Sequence, residues 1–158
     1  MIKKVLELKN ITKSYVSRPT ENDFILKQIN LEIAQGQISC LVGPSGSGKT
    51  TLSQLAGLLD TPSGGEILIN NTSTKSIKDS ARTKIRRSSI GFIYQFHHLL
   101  PEFSAIENVM LPLLINNVDK DEAHQKSQEI LKRLDLSSRI NYKPSELSGG
   151  QQQRVAIG

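Results

Sequence analysis

Gly43-Pro44-Ser45-Gly46-Ser47-Gly48-Lys49-Thr50 satisfies the pattern G-x-x-x-x-G-K-[ST] in full. Just upstream, Ile38-Ser39-Cys40-Leu41-Val42 is nearly continuous in apolar character, which predicts a strand covered on both faces, with Cys40 as an unreactive core residue. Downstream, Leu52, Leu55, Ala56 and Leu59 recur at helical spacing until Pro62-Ser63-Gly64-Gly65 closes the segment as a turn. Strand, glycine-rich loop and helix in that order form a phosphate cradle. The glycines let backbone N–H groups close around oxygens, and the helix start adds partial positive charge. Lys49 is placed to neutralise the outer phosphates of a nucleotide, and the Thr50 hydroxyl to ligate Mg²⁺.

Working outward, Val5 to Leu8 and the alternating Ile29, Leu31 and Ile33 predict a small antiparallel region, with a turn at Gln35-Gly36. Glu66 to Asn70 and Ile90 to Gln95 read as further strands. Beyond them the pattern turns helical. Ser104 and Glu107 have capping-box spacing, and Asp119 with Glu122 opens a helix through Ala123, Ile130, Leu131 and Leu134. Pro144 marks a break before a last helical segment running toward Gly158.

Composition narrows the function classes. One Cys and no Cys/His spacing exclude a disulfide framework or a zinc site, and the adjacent His97 and His98 lack acidic partners, so they read as surface or interface residues. Lys3 and Lys4 interrupt the N-terminal apolar residues, so no signal peptide is expected. The stretch Val109 to Ile115 is far short of the roughly 20 residues that span a bilayer, so any membrane contact is expected to be indirect. The net charge of +5 lies entirely in Lys75, Lys78, Arg82, Lys84, Arg86 and Arg87, set against Asp79. That segment has no stacking aromatic, so it reads as a solvated helix face, with an anionic surface or partner as the alternative, and no nucleic acid is expected.

A second glycine-rich element, Leu147-Ser148-Gly149-Gly150-Gln151, offers Ser148 as a helix N-cap and two glycines open to an anion. Together with the P-loop it resembles the signature motif of ATP-binding cassette (ABC) ATPases. The resemblance implies a head-to-tail homodimer in which the signature of one protomer closes over ATP held by the P-loop of the other. It also implies that Tyr15 is the aromatic on which adenine stacks, that Thr51 adjoins the phosphate contacts, and that Gln95 reaches Mg²⁺ and the attacking water. The stretch from Gly91-Phe92-Ile93-Tyr94-Gln95 through Phe96, Phe103 and Val109 is very similar to ATP-binding subunits of bacterial lipoprotein-releasing transporters, within a wider group of macrolide-exporter and cell-division ATPases. For these the resemblance implies work at the cytoplasmic face of the inner membrane, peripherally, with transmembrane permease subunits docking on Phe96 to Phe103. The alternative for Phe96, Leu99, Leu100 and Phe103 is subdomain core.

The implied fold class is α/β: a P-loop ABC ATPase core with an antiparallel β-subdomain and a helical insertion, incomplete at the C-terminus. Residues 1–95 hold the β-subdomain and P-loop core, and 96–158 the helical subdomain. After its signature the family continues into a strand ending in an Asp, a catalytic Glu and later a switch His, and none of these follows Ile157. The 158 residues alone are therefore expected to turn over little ATP and to be poorly soluble or associate non-natively through unpaired apolar edges. A non-catalytic nucleotide-binding or regulatory subunit is the rival expectation.

Overall fold

Period-two alternation at the start of the chain forms strand β1 (Lys4–Lys13), which pairs antiparallel with β2 (Leu26–Ala34) on one side and β3 (Gly64–Ile69) on the other. A short β4 (Thr72–Ser73) completes a sheet of order β2-β1-β3-β4. The computed structural model describes residues 3–158, which divide into two compact units, one ending at Ile90 and the other spanning Gly91–Gly158.

Strand β1 carries one extra residue relative to both neighbours. Leu8 faces Leu31 and Ile11 faces Ile29, while Lys9 faces Glu66 and Thr12 faces Gly64. Asn10 sits in this bulge at φ 50°, its N–H donating to Asn30 Oδ1 at 2.9 Å. A bulge reverses which side of the sheet the later residues face. Leu8 points into the core before it, and Ile11 and Lys13 after it, each at most 7% exposed.

Helix α1 (Lys49–Ala56) lays Leu52 and Leu55 into that core, against Leu8, Ile11, Leu26 and Ile67. Leu59 was expected to follow them but is exposed, because the helix stops at Gly57 in a Schellman turn. There Leu59 N–H donates to Gln54 O at 2.8 Å and Leu58 N–H to Leu55 O at 3.0 Å. Leu58 takes the left-handed conformation, φ 59°, and drops its side chain into the core in place of Leu59. The conformation costs about 1–2 kcal/mol, which burying a leucine, worth about 1.5–3 kcal/mol, offsets.

Two expected strands, the first of them expected in the core, are not strands. Residues 38–42 and 90–94 have no regular secondary structure, Gln95 lies on a bend, and Ile38, Leu41, Val42, Ile93 and Tyr94 are exposed, Ile38 at 97%. Among the described residues neither segment pairs with a strand, so neither has ladder hydrogen bonds. Cys40, expected in the core, is likewise an exposed free thiol. The basic segment forms helix α2 (Asp79–Ser89), which buries no residue, carries Arg86 and Arg87 in its last turn, and is tied to the end of α1 where Arg86 Nη1 donates to Leu58 O at 2.8 Å.

The second unit is helical: α3 (Ala105–Ile115), α4 (Lys120–Arg133) and α5 (Gly149–Ile157) enclose Ile106, Val109, Met110, Leu131, Leu136, Leu147 and Val155. Its starts are capped as the sequence predicts. Ser104 N–H donates to Glu107 Oε2 at 2.7 Å, a bond that, with the Ser104 hydroxyl, holds the Glu107 carboxyl below the usual carboxylate range. Asp119 Oδ1 accepts from the N–H groups of Asp121 and Glu122.

Candidate functional site

The loop 43–48 delivers the chain from the extended segment into α1, and Gly48 makes the join. Its φ is +87°, and a Cβ there would lie 2.9 Å from Leu26 Cδ2 and 3.2 Å from Ile25 Cγ2, so the loop sits directly on the start of β2. Only glycine meets both demands. The first turn of α1, Lys49 to Thr51, presents the N–H groups that a helix start leaves without intrahelical partners. Lys49 Nζ donates to Gly43 O at 2.8 Å and Pro44 O at 2.7 Å, folding the ammonium back across the loop mouth. The Thr50 side chain is exposed beside it, and Thr51 is half-buried. An open cleft of about 400 Å³ is lined by Gly43, Pro44, Ser47, Gly48 and Lys49, with Leu26 and Ile29 behind.

Tyr15 lies two residues beyond Lys13, whose carbonyl accepts from Ile25 N–H at 2.8 Å, and Ile25 is the residue that crowds Gly48. The Tyr15 ring is 60% exposed, and its hydroxyl donates to Asp60 Oδ2 at 3.0 Å. Partial burial pushes the Asp60 carboxyl up, but bonds from Lys13, Thr61 N–H and Tyr15, with the Lys13 charge, hold it below its ordinary value. Sequence reading singled out Tyr15 but neither Lys13 nor Asp60.

In the second unit Ser148 caps α5 through a reciprocal pair. Gln151 N–H donates to Ser148 Oγ at 3.3 Å, and Ser148 N–H to Gln151 Oε1 at 2.9 Å. Gly149 and Gly150 are exposed at the helix start, with nothing within 4 Å of where a Cβ would stand. Behind the turn, Leu147 is buried, and Gln152 Nε2 donates to Pro144 O and Leu147 O. Gln95 stands on an exposed bend rather than at a strand end. The stretch after it divides: Leu99 packs on the helical core, while Phe96, Leu100 and Phe103 are exposed, Phe96 at 75%.

Asn108 is a residue the sequence reading missed. Its Nδ2 donates to the carbonyls of Leu100, Phe103 and Ser104, and its Oδ1 accepts from Leu100 N–H at 2.8 Å, pinning the loop that carries the exposed phenylalanines onto α3. Asparagine one turn into a capped helix was the available signal. Asn108→Ala should lower unfolding free energy by about 1–2 kcal/mol in urea titration, the worth of one or two net hydrogen bonds. A change below about 0.3 kcal/mol would mean that water replaces those bonds.

The sequence profile of the ABC transporter family matches residues 26–158, spanning the cradle and the capped glycines of α5. The chain belongs to the ABC transporter family. The cassette is 52% identical over 153 residues, 97% of this chain and 66% of the relative, to the lipoprotein-releasing system ATP-binding protein LolD of Maricaulis maris. To the protein of the same name from Saccharophagus degradans it is 48% identical, over 97% of this chain and 67% of that one. The cassette thus spans about two thirds of the length of these curated relatives. Among solved structures, the ATP-binding cassette MJ0796, described as dimeric and bound to ADP and Pi, superposes with a TM-score of 0.84 at 43% identity, covering 96% of this chain and 67% of that one. An α/β ABC ATPase cassette with an antiparallel β-subdomain is therefore the fold. Among the described residues no helix is long and apolar enough to cross a membrane.

Proposed function

We propose that this cassette is the ATP-binding subunit of an ABC transporter that releases lipoproteins from the inner membrane. The Lys49 geometry carries the nucleotide half of this reading. A charged ammonium held only by two carbonyls of its own loop, beside a Gly48 whose positive φ and crowding by Leu26 exclude a side chain, is poised to exchange those contacts for phosphate oxygens. Similarity of about half the residues to two lipoprotein-releasing proteins supports the transport half.

In this proposal Gly43 to Gly48 wrap the phosphates of ATP, Lys49 neutralises the outer two, and Thr50 and Thr51 line the helix start. Tyr15 stacks on adenine. Thr50 and Gln95 are the residues that would hold Mg²⁺, which would offset the charge of the phosphates. Gln95 also orients the attacking water. Leu147, Ser148, Gly149, Gly150 and Gln151 close over the nucleotide of the opposite protomer in a homodimer, presenting orphan N–H groups to its outer phosphate. Residues 1–95 act as β-subdomain and P-loop core, and 96–158 as the helical subdomain. Exposed Phe96, Leu100 and Phe103 receive the transmembrane subunits at the cytoplasmic face of the inner membrane.

Depleting the host of this protein tests the transport reading. Lipoproteins destined for the outer membrane should accumulate in the inner membrane, and a plasmid copy should restore their distribution. An unchanged distribution, with a different substrate retained, would move the cassette to a related exporter or cell-division complex.

A further inference from the structure

The segment bearing Tyr15 is tied down more firmly than an exposed aromatic requires. Ser14 N–H donates to Ser63 Oγ at 3.0 Å, and that hydroxyl donates back to Ser14 O at 3.2 Å. Ser63 N–H reaches Thr12 O at 2.9 Å, and Val16 N–H donates to Ser14 Oγ at 3.1 Å. Beneath the ring lies Lys13, 7% exposed, its ammonium 4.6 Å from the ring centroid. The lysine faces inward because of the bulge at Asn10; in a regular strand of the same sequence it would point to the opposite side of the sheet. It donates to Asp60 Oδ1 at 2.9 Å and Thr61 O at 2.7 Å and is ion-paired with Asp60 Oδ2 at 2.8 Å, so it is held away from any phosphate. Asp60 in turn accepts the Tyr15 hydroxyl, which anchors the far end of the ring.

We propose that Lys13 and Asp60 are positioning residues for nucleotide recognition, holding Tyr15 so that its outer face alone receives the base and polarising that face from behind. The proposal rests on the reading that Tyr15 stacks on adenine. The ammonium occupies the buried face, leaving the solvent face open. A cation on one face draws π density from the other, which lessens repulsion against the electron-rich face of a stacked purine. Asp60 neutralises the lysine enough to keep it buried and stops the phenol from swinging away. Base selection then depends on a charge that never touches the nucleotide.

Affinities of the full chain for ATP and for inorganic tripolyphosphate, which has no base, separate the roles. Tyr15→Ala should weaken ATP about tenfold, the worth of one base–aromatic stack, with tripolyphosphate unchanged. Lys13→Met should weaken ATP about fivefold, again without moving tripolyphosphate, and adding it to Tyr15→Ala should cost nothing more. Tyr15→Phe keeps the ring and loses only the bond to Asp60; a loss of about threefold for ATP alone is expected, and this variant decides the matter if Lys13→Met does not fold. No effect of Tyr15→Ala on ATP would overturn the stacking reading and this proposal with it. A clear Tyr15→Ala effect with Lys13→Met and Tyr15→Phe both silent would overturn the positioning role alone. Equal weakening of ATP and tripolyphosphate by Lys13→Met would do the same, showing a general structural role.

Discussion

Lys49→Met should weaken ATP binding about a hundredfold while leaving the unfolding midpoint of the chain nearly unchanged. The two halves of this expectation have separate grounds. In the structure the ammonium touches only Gly43 O and Pro44 O, at the mouth of an open loop where water can replace it. Losing exposed hydrogen bonds of that kind costs the fold well under about 1 kcal/mol. Bound phosphate changes the account, since each charge-assisted bond contributes about 1.5–3 kcal/mol and two are in reach, so about 3 kcal/mol, or somewhat over a hundredfold, is at stake. Methionine keeps the length and most of the apolar stem, so packing over the loop is retained. Isothermal titration with ATP and with tripolyphosphate checks the expectation, and both ligands should weaken together, unlike the Tyr15 variants. A drop below threefold would mean that the loop amides alone carry phosphate affinity and that Lys49 stays on its carbonyls.

The phosphate cradle was legible because its determinants are local: glycines where the backbone turns, a lysine and a threonine at the helix start. The caps at Ser104, Asp119 and Ser148 were legible for the same reason, each being a side chain reaching its own backbone within three residues. Residues 38–42 show where such reading stops. Their apolar letters state a preference for burial, but a strand exists only when another strand pairs with it, and periodicity does not reveal which segment that is. Lys13 was hidden differently. A lysine in a β-pattern reads as solvent-facing, and only the bulge at Asn10, a conformational event with no letter of its own, turns it inward to Tyr15 and Asp60. Leu58 repeats the lesson at the end of α1, where a left-handed residue that is not glycine moves the buried leucine by one position.

Gly65→Ala should destabilise the first unit more than any other single methyl addition among its glycines, by about 4 kcal/mol. A Cβ built on Gly65 lies 2.5 Å from the carbonyl oxygens of both Lys9 and Asn10 and 2.7 Å from the Asn10 carbonyl carbon. These are backbone atoms of the neighbouring strand, so no rotamer change relieves the overlap. The φ of +90° adds the left-handed cost of about 1–2 kcal/mol for any residue with a Cβ. Relief requires β1 to move off β3 at the bulge, breaking ladder bonds on either side of it, each worth about 1 kcal/mol net. Gly36→Ala is the internal control: φ is +78°, yet nothing lies within 4 Å of its Cβ, so only the conformational cost of about 1 kcal/mol applies. Urea unfolding of both variants should therefore differ by about 3 kcal/mol, a large share of the 5–15 kcal/mol margin usual for a domain. Equal losses would show that β1 slides away from Gly65 without cost and that the bulge is not clamped there. Because the same bulge turns Lys13 inward, any Gly65→Ala chain that stays folded should also lose ATP affinity through Tyr15 and keep its affinity for tripolyphosphate.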